Sequence, residues 1–331
     1  MEIRLITEAG SRPVSPDSVD EVLVQGEGFL GIDLDHTDEK GMLLLTNNIK
    51  VSPTDLEQCH NRTPVPLLHV YAGYLFSAIN GLARGVDGRL HFQPLKAFMT
   101  TKLLFTVIGP CHEALTYEAA HSELIKFRRL LDADEVRPAT PLGLLSSIRF
   151  QMLHAQEEMT RWAASRISEL ERLMLVRDPV QSESLLQDLF ALRHDVQTIR
   201  TNAAQTYETF HHLIETLETQ QGLMPVDPRR IQELRQGFGH LRNTADLERE
   251  YLQELLDLFQ TRVSTELNRF VRKVTAWGFI GISWTVIAGI YGMNFTVMPE
   301  LNWAYGYAWA LGVMLAVGVV LYVVFHRRGW L

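Results

Sequence analysis

The residues with the clearest chemistry lie near the C-terminus, in the run Tyr291-Gly292-Met293-Asn294-Phe295. An asparagine amide oxygen accepts hydrogen bonds from the water shell of a cation, and glycine leaves neighbouring main-chain carbonyls exposed. Neither group adds a formal charge that would trap a divalent ion. Gly292, Met293 and Asn294 therefore form a candidate selectivity filter. Downstream, Glu300 is either a cation-concentrating acid at its mouth or an ordinary solvated loop acid.

Two apolar stretches flank this motif, from Val274 to Met293 and from Ala304 to Phe325, and between Val274 and Phe325 the single charged residue is Glu300. Each stretch has about 20 residues, enough for a helix to cross a hydrocarbon core of ~30 Å. We therefore expect two membrane spans joined by a short link.

The flanking residues predict the orientation of both spans. Basic residues lie outside the spans and none lies in the link: Arg269, Arg272 and Lys273 precede the first span, and His326, Arg327 and Arg328 follow the second. The positive-inside rule then places both termini in the cytoplasm of a multi-pass cell (inner) membrane protein. Trp277 and Trp284, with a cluster from Trp303 to Trp309, resemble interfacial aromatic belts. A soluble hairpin would explain the apolarity but not these flanks.

The motif, the loop Met298-Pro299-Glu300-Leu301 and the tail Arg327-Arg328-Gly329-Trp330-Leu331 together resemble the CorA family of divalent-cation channels. The close match covers roughly Leu252 to Leu331. Upstream, Gly31-Ile32-Asp33-Leu34 and Leu103-Leu104-Phe105-Thr106-Val107 are similar to strand pieces of the family's cytosolic domain.

This resemblance implies the architecture and the activity. The expected fold is an α+β cytosolic domain, a long α-helical stalk and two C-terminal transmembrane helices in a funnel-shaped homopentamer surrounded by membrane lipid. The expected activity is non-enzymatic influx of Mg²⁺, with Co²⁺ and Ni²⁺ as further candidate ions, driven by membrane potential. Intracellular Mg²⁺ bound between subunits would close the channel, and no cofactor beyond transported and regulatory ions is implied.

The chain divides by pattern into seven segments. These are a cytosolic α/β domain (1–135), a helical pair (136–225), a stalk helix (226–273), the first span (274–293), an external loop (294–303), the second span (304–325) and a basic tail (326–331). Asp227 and Pro228 match a helix start, and no proline follows until Pro299. One helix can therefore run from about 228 to 293.

One face of that helix is a candidate pore lining. Its proposed members are either small or polar, or are apolar residues of a candidate gate: Asn268, Val271, Val274, Gly278, Ile282 and Thr285. The resemblance assigns Val271, Val274 and Ile282 to an apolar constriction that closes by dewetting. A small-residue stripe that packs helix against helix is the other interpretation, and the two are compatible.

Regulatory metal ligands are less defined. Asp257 matches a position where the family places a polar group, and it is otherwise a solvated helix acid. Glu233, Glu248, Glu250 and Glu254 are further candidates whose alignment is ambiguous. Many relatives have a proline in the middle of the first span, but here Ser283 follows Ile282, so a kink there is not predicted.

Composition excludes other classes of function. Residues 1–273 hold 38 acidic against 29 Lys and Arg residues, a net charge of −9, whereas a nucleic-acid partner would favour a basic surface. No phosphate-binding glycine loop for a nucleotide is present. The Asp33-x-Asp35-x-x-Asp38 run lacks the glycine and glutamate of an EF-hand, and Cys59-His60 and Cys111-His112 lack compact zinc spacing.

Two alternatives remain open. A zinc transporter resembling ZntB, with proton coupling, belongs to the same superfamily, although the Met-Pro-Glu-Leu loop favours the magnesium channel. A membrane-tethered coiled-coil sensor or scaffold would explain the spans but not the Gly-Met-Asn motif.

Overall fold

A computed structural model of the chain describes residues 1–25, 28–62, 65–176, 183–219, 228–293 and 303–331. Its strands are β1 (Glu2–Thr7), β2 (Gly10–Pro13), β3 (Phe29–Asp35), β4 (Leu67–Val70), β5 (Leu75–Arg84), β6 (Leu90–Met99) and β7 (Leu103–Ile108). Its α-helices are α1 (Val19–Gln25), α2 (Glu39–Asn48), α3 (Pro53–His60), α4 (Tyr117–Asp132), α5 (Pro141–Val176), α6 (Glu183–Thr219), α7 (Pro228–Tyr291) and α8 (Gly306–Arg327).

The chain divides into two compact units. Unit 1 comprises Met1–Arg172 and Ser184–Gln253, and unit 2 comprises Leu173–Glu183 and Glu254–Leu331. Helix α7 contributes residues to both units.

Unit 1 is built on one sheet with the strand order β2-β1-β3-β7-β6-β5-β4. The two strand pieces that the sequence singled out are adjacent parallel strands, with Gly31 of β3 opposite Leu104 of β7. Strands β5 to β7 are buried along most of their length, polar residues included, because both faces of the sheet are covered. Leu45 and Cys59 belong to the core on one face, and Leu124 and Ile148 to the core on the other.

The apolar sides of α5, α6 and the first part of α7 extend that second core. Phe210 and Phe238 stack at a centroid distance of 5.9 Å. A Cβ on Gly237 would overlap with Leu153 Cδ2, and the helix continues through this position. Close packing against Leu153 therefore accounts for the glycine in this turn.

Unit 2 contains the remainder of α7 packed against α8. Ala276 and Ile280 are buried, and the Trp284 indole N–H donates to the Met314 main-chain oxygen at 2.9 Å. The Arg262 guanidinium donates to the main-chain oxygen of Met174. The predicted combination of an α+β portion, a long helix and two C-terminal apolar helices is confirmed.

Candidate ion pathway

The motif begins where α7 ends. Tyr291 is the last helical residue, and the Gly292 N–H still donates to the Ala288 oxygen at 2.9 Å. The Met293 N–H donates to the Ile290 oxygen at 3.3 Å in a tighter final turn. Asn294 and Glu300 lie outside the described residues, so their predicted roles stay predictions.

The six candidate pore residues are all exposed in the isolated chain: Asn268, Val271, Val274, Gly278, Ile282 and Thr285. Successive helical residues turn by ~100°, which places Val274, Gly278 and Ile282 on the side of α7 turned away from α8. The side toward α8 is marked by buried Ala276 and Ile280. Val274, Gly278 and Ile282 therefore take no part in the contact between α7 and α8.

The glycines in this unit differ in what surrounds them. A Cβ on Gly278 or Gly289 would meet nothing within 4 Å, whereas a Cβ on Gly318 of α8 would lie 3.0 Å from the Trp284 ring. Gly318 thus serves contact within the chain. Gly278 and Gly289 make no such close contact with the described residues of the isolated chain.

Large apolar side chains cover much of the outer surface of both helices. Phe270 is 64% exposed, Ile282 61% and Leu315 67%. Both α7 and α8 contain stretches long and apolar enough to cross a membrane. Exposure of so large a contiguous apolar surface to water is unfavourable, so these helices require lipid or further copies of the chain around them.

The candidate regulatory acids lie in different surroundings. Asp257, Glu233, Glu250 and Glu254 are exposed, and the Asp257 main-chain oxygen accepts the Thr261 hydroxyl at 2.8 Å. The fifth candidate, Glu248, is part-buried and lines a cleft of about 430 Å³ between α5 and α7 with Glu157 and His240. Removal from water raises the pKa of the Glu248 carboxyl.

Among the residues that the structure describes, no three His, Cys, Asp or Glu side chains are arranged to hold a metal ion. Cys59 is buried, and burial raises the pKa of its thiol to about 12, so it remains protonated. Asp33 and Asp35 lie at the end of β3; Asp33 is paired with Arg128 at 2.8 Å, and Asp35 accepts the Thr37 hydroxyl at 2.7 Å.

Two features were not anticipated from the sequence. Trp284, which we assigned to an aromatic belt, is joined to α8 by its indole hydrogen bond. In the basic tail, the Trp330 ring stacks on Phe325 at a centroid distance of 5.5 Å. The main-chain N–H of Trp330 donates to the main-chain oxygen of Phe325 at 2.9 Å. The only signal for the first contact was a glycine, Gly318, on the partner helix.

The described chain combines a sheet-based portion, one very long helix and a second apolar helix, and the family that it matches is one of ion transport proteins. Residues 26–327 match the family described as CorA-like Mg²⁺ transporter protein. The chain belongs to this family, whose members are ion transporters and not enzymes.

Known proteins with similar sequences support this assignment. YfjQ of Bacillus subtilis is 25% identical over 297 residues, which cover 87% of this chain and 85% of that protein. The cobalt/magnesium transport protein CorA of Thermotoga maritima is 32% identical over 151 residues, 46% of this chain and 40% of that protein.

The fold is also shared with a solved structure. The CorA magnesium transporter from Methanocaldococcus jannaschii superposes with a TM-score of 0.82 and 15% sequence identity, over 100% of this chain and 99% of that one. The family match, and not this likeness of fold, gives transport of divalent cations as the activity class and argues against the scaffold alternative.

Proposed function

We propose that the chain forms a homopentameric channel that admits Mg²⁺ to the cytoplasm, with α7 lining the pore and α8 outside it. Two helices cannot enclose a water-filled path, so several copies of one helix must surround an axis. The observation that carries this proposal is the orientation of the stripe: Val274, Gly278 and Ile282 lie opposite the α8-contacting side of α7.

The proposed driving force is the membrane potential. Inward movement of a doubly charged ion across an interior-negative membrane gains about 4.6 kcal/mol per 100 mV. The apolar part of α7, from Val274 to Tyr291, contains no Asp, Glu or His that could form a proton relay. A channel in the cell membrane with both termini cytoplasmic fits the basic flanks of the two spans.

The proposed filter is a ring of Gly292, Met293 and Asn294 from five subunits. Mg²⁺ sheds its water reluctantly, so rapid passage favours a filter that binds the hydrated ion through hydrogen bonds. Amide and main-chain oxygens accept those bonds without adding charge. Glu300 would then raise the local cation concentration at the mouth.

The proposed gate is apolar, at Val271, Val274 and Ile282, with Asn268 at its cytoplasmic end and Thr285 above it. All three apolar side chains are exposed in the isolated chain, as residues that line a shared axis must be. Regulatory Mg²⁺ bound between copies, with Asp257 as one candidate ligand, would favour the closed state because it binds that state better.

A flux assay on reconstituted protein tests the proposal. The full chain in liposomes, under an imposed interior-negative potential, is supplied in turn with Mg²⁺, Co²⁺, Ni²⁺ and Zn²⁺, with and without a pH gradient. We expect Mg²⁺ influx that follows the potential and ignores the pH gradient. Flux of Zn²⁺ that requires the pH gradient would establish the ZntB-like alternative instead.

A further inference from the structure

Arg149 on α5 is an arginine buried in the core of unit 1, with 1% of its surface exposed. Its Nη1 donates to the Ile79 oxygen at 2.9 Å and to Met152 Sδ at 3.4 Å. Its Nη2 donates to Ser77 Oγ at 3.2 Å and to the Leu95 oxygen at 3.4 Å. Every one of these acceptors is neutral.

The guanidinium nevertheless carries a charge at neutral pH. Burial lowers the pKa of Arg149 to about 9, which is still well above 7. No salt bridge to Arg149 occurs within the described ranges, and its Nε finds no hydrogen-bond acceptor there. A buried charge without an opposite charge is strongly destabilising, so the site calls for an anion.

A small cavity of about 30 Å³ adjoins this side chain. Arg149 lines it together with Ser77 and Ser146, which are 2% and 3% exposed. The other walls are apolar, including Phe210 of α6 and Leu234 of α7. A space of this size exceeds the ~10–15 Å³ that one water molecule needs, but it is too small for a phosphate or a carboxylic acid.

We infer that this cavity binds one small monovalent anion of the halide class, chloride under cellular conditions. The Arg149 guanidinium supplies the opposite charge and an N–H at Nε. The Ser77 and Ser146 hydroxyls complete a donor set, because a hydroxyl that accepts from Arg149 still has its own hydrogen to donate. Water could fill the space, but it would leave the positive charge uncompensated.

Occupancy would tie several elements of unit 1 together. Ser77 lies on β5, Ser146 and Arg149 on α5, and the apolar walls come from α6 and α7. An anion that binds the folded state and not the unfolded chain stabilises the folded state in proportion to ln(1 + [L]/Kd). The thermal stability of this chain should therefore depend on halide concentration at constant ionic strength.

Two measurements on the full chain in detergent test the inference. Crystals grown in sodium bromide should show an anomalous peak in the cavity, within hydrogen-bonding distance of Arg149 Nε. Melting temperature should rise with bromide or chloride and stay flat in gluconate of the same ionic strength. A cavity without a bromide peak, or melting curves that are identical in halide and gluconate, would overturn the assignment.

Ser146→Ala removes one hydrogen-bond donor while leaving the Arg149 cation and the fold in place. We expect the halide Kd obtained from the melting curves to rise about tenfold. Ser147→Ala is the matched control, since the neighbouring Ser147 hydroxyl donates to the Gly143 oxygen at 2.9 Å. Halide dependence should be unchanged in this control. If the two variants respond alike to halide, the Ser146 hydroxyl does not belong to an anion site and the proposed donor set is wrong.

Discussion

The indole N–H of Trp284 donates to the main-chain oxygen of Met314 on the neighbouring helix, at 2.9 Å. In an α-helix that oxygen also accepts the N–H four residues later, which here belongs to Gly318. A carbonyl has two lone pairs, so it can serve both donors if the second can approach. The approach is possible because Gly318 has no side chain.

Gly318→Ala should therefore weaken the contact between α7 and α8. The added Cβ would lie 3.0 Å from the Trp284 ring, and overpacking of this kind costs about 1–3 kcal/mol. We expect the melting temperature of the detergent-solubilised protein to fall by several degrees. Gly312→Ala on the same helix is the control, because a Cβ there meets nothing within 4 Å. Equal melting temperatures for the two variants would contradict the packing role of Gly318.

The free energy of unfolding of unit 1 should increase as pH rises above neutral, because the buried Lys96 amine then loses its charge. This β6 side chain is 1% exposed, its Nζ donates to the Asn61 oxygen at 3.0 Å, and burial lowers its pKa from the ordinary 10.5. The folded state thus binds this proton less tightly than the unfolded chain. The free-energy cost of burying the charged amine is present in full below the folded-state pKa. It is relieved as pH rises from that pKa toward 10.5, the ordinary lysine value.

Lys96→Met should remove that penalty. We expect a higher melting temperature at pH 7 and a smaller gain between pH 7 and 10 than in the parent protein. Lys102→Met, at an exposed position, should change neither quantity. A Lys96→Met protein less stable than the parent at pH 7 would show that the hydrogen bond to Asn61 outweighs the buried charge.

Local signals predicted the helical part of this protein, and nonlocal contacts limited the rest. Pro228 marks the start of α7 and the apolar composition marks both spans, because caps and hydrophobic runs act within a few residues. The adjacency of β3 and β7 could not be read directly, since strand pairing depends on distant segments. Arg149 likewise looks like a surface residue of a helix until the sheet beneath it is known.

Of the predicted ion pathway, the described residues include α7 and the motif as far as Met293. Periodicity placed Gly278 and Ile282 on one helical face and the family resemblance added Val274, and the structure adds which side of α7 contacts α8. The proposed roles of Asn294 and Glu300 depend on the proposed assembly of several copies of the chain around an axis.

Asn294→Ala should abolish rapid Mg²⁺ influx. The change removes five amide oxygens from the proposed ring, and with them hydrogen bonds to the water shell of the ion. We expect flux into liposomes to fall at least ~tenfold, the factor that 1.4 kcal/mol in a barrier produces. Asn302→Ala makes the same substitution in the same link outside the motif and should leave flux near normal. Parental flux in a correctly assembled Asn294→Ala protein would remove the filter assignment.

Mg²⁺ should protect the soluble portion from proteolysis. An ion that binds between copies in the closed state stabilises that state by mass action. We expect cleavage of the full chain in detergent to be slower in millimolar Mg²⁺ than in chelator, and the same amount of K⁺ or Na⁺ to give no protection. Identical cleavage rates under both conditions would refute regulation by bound Mg²⁺.

Polar substitutions in the proposed apolar gate should let ions pass when the parent protein is closed. Ile282→Ser and Val271→Asn would offer hydrogen bonds to the hydration shell of the ion and lower the dewetting barrier. Current should then persist at cytoplasmic Mg²⁺ concentrations that silence the parent channel. Leu315→Ser, on the exposed surface of α8, is the control for a polar group on a different helix surface, and it should not raise current. Intact pentamers of both gate variants with the inhibition curve of the parent would show that neither position forms the gate.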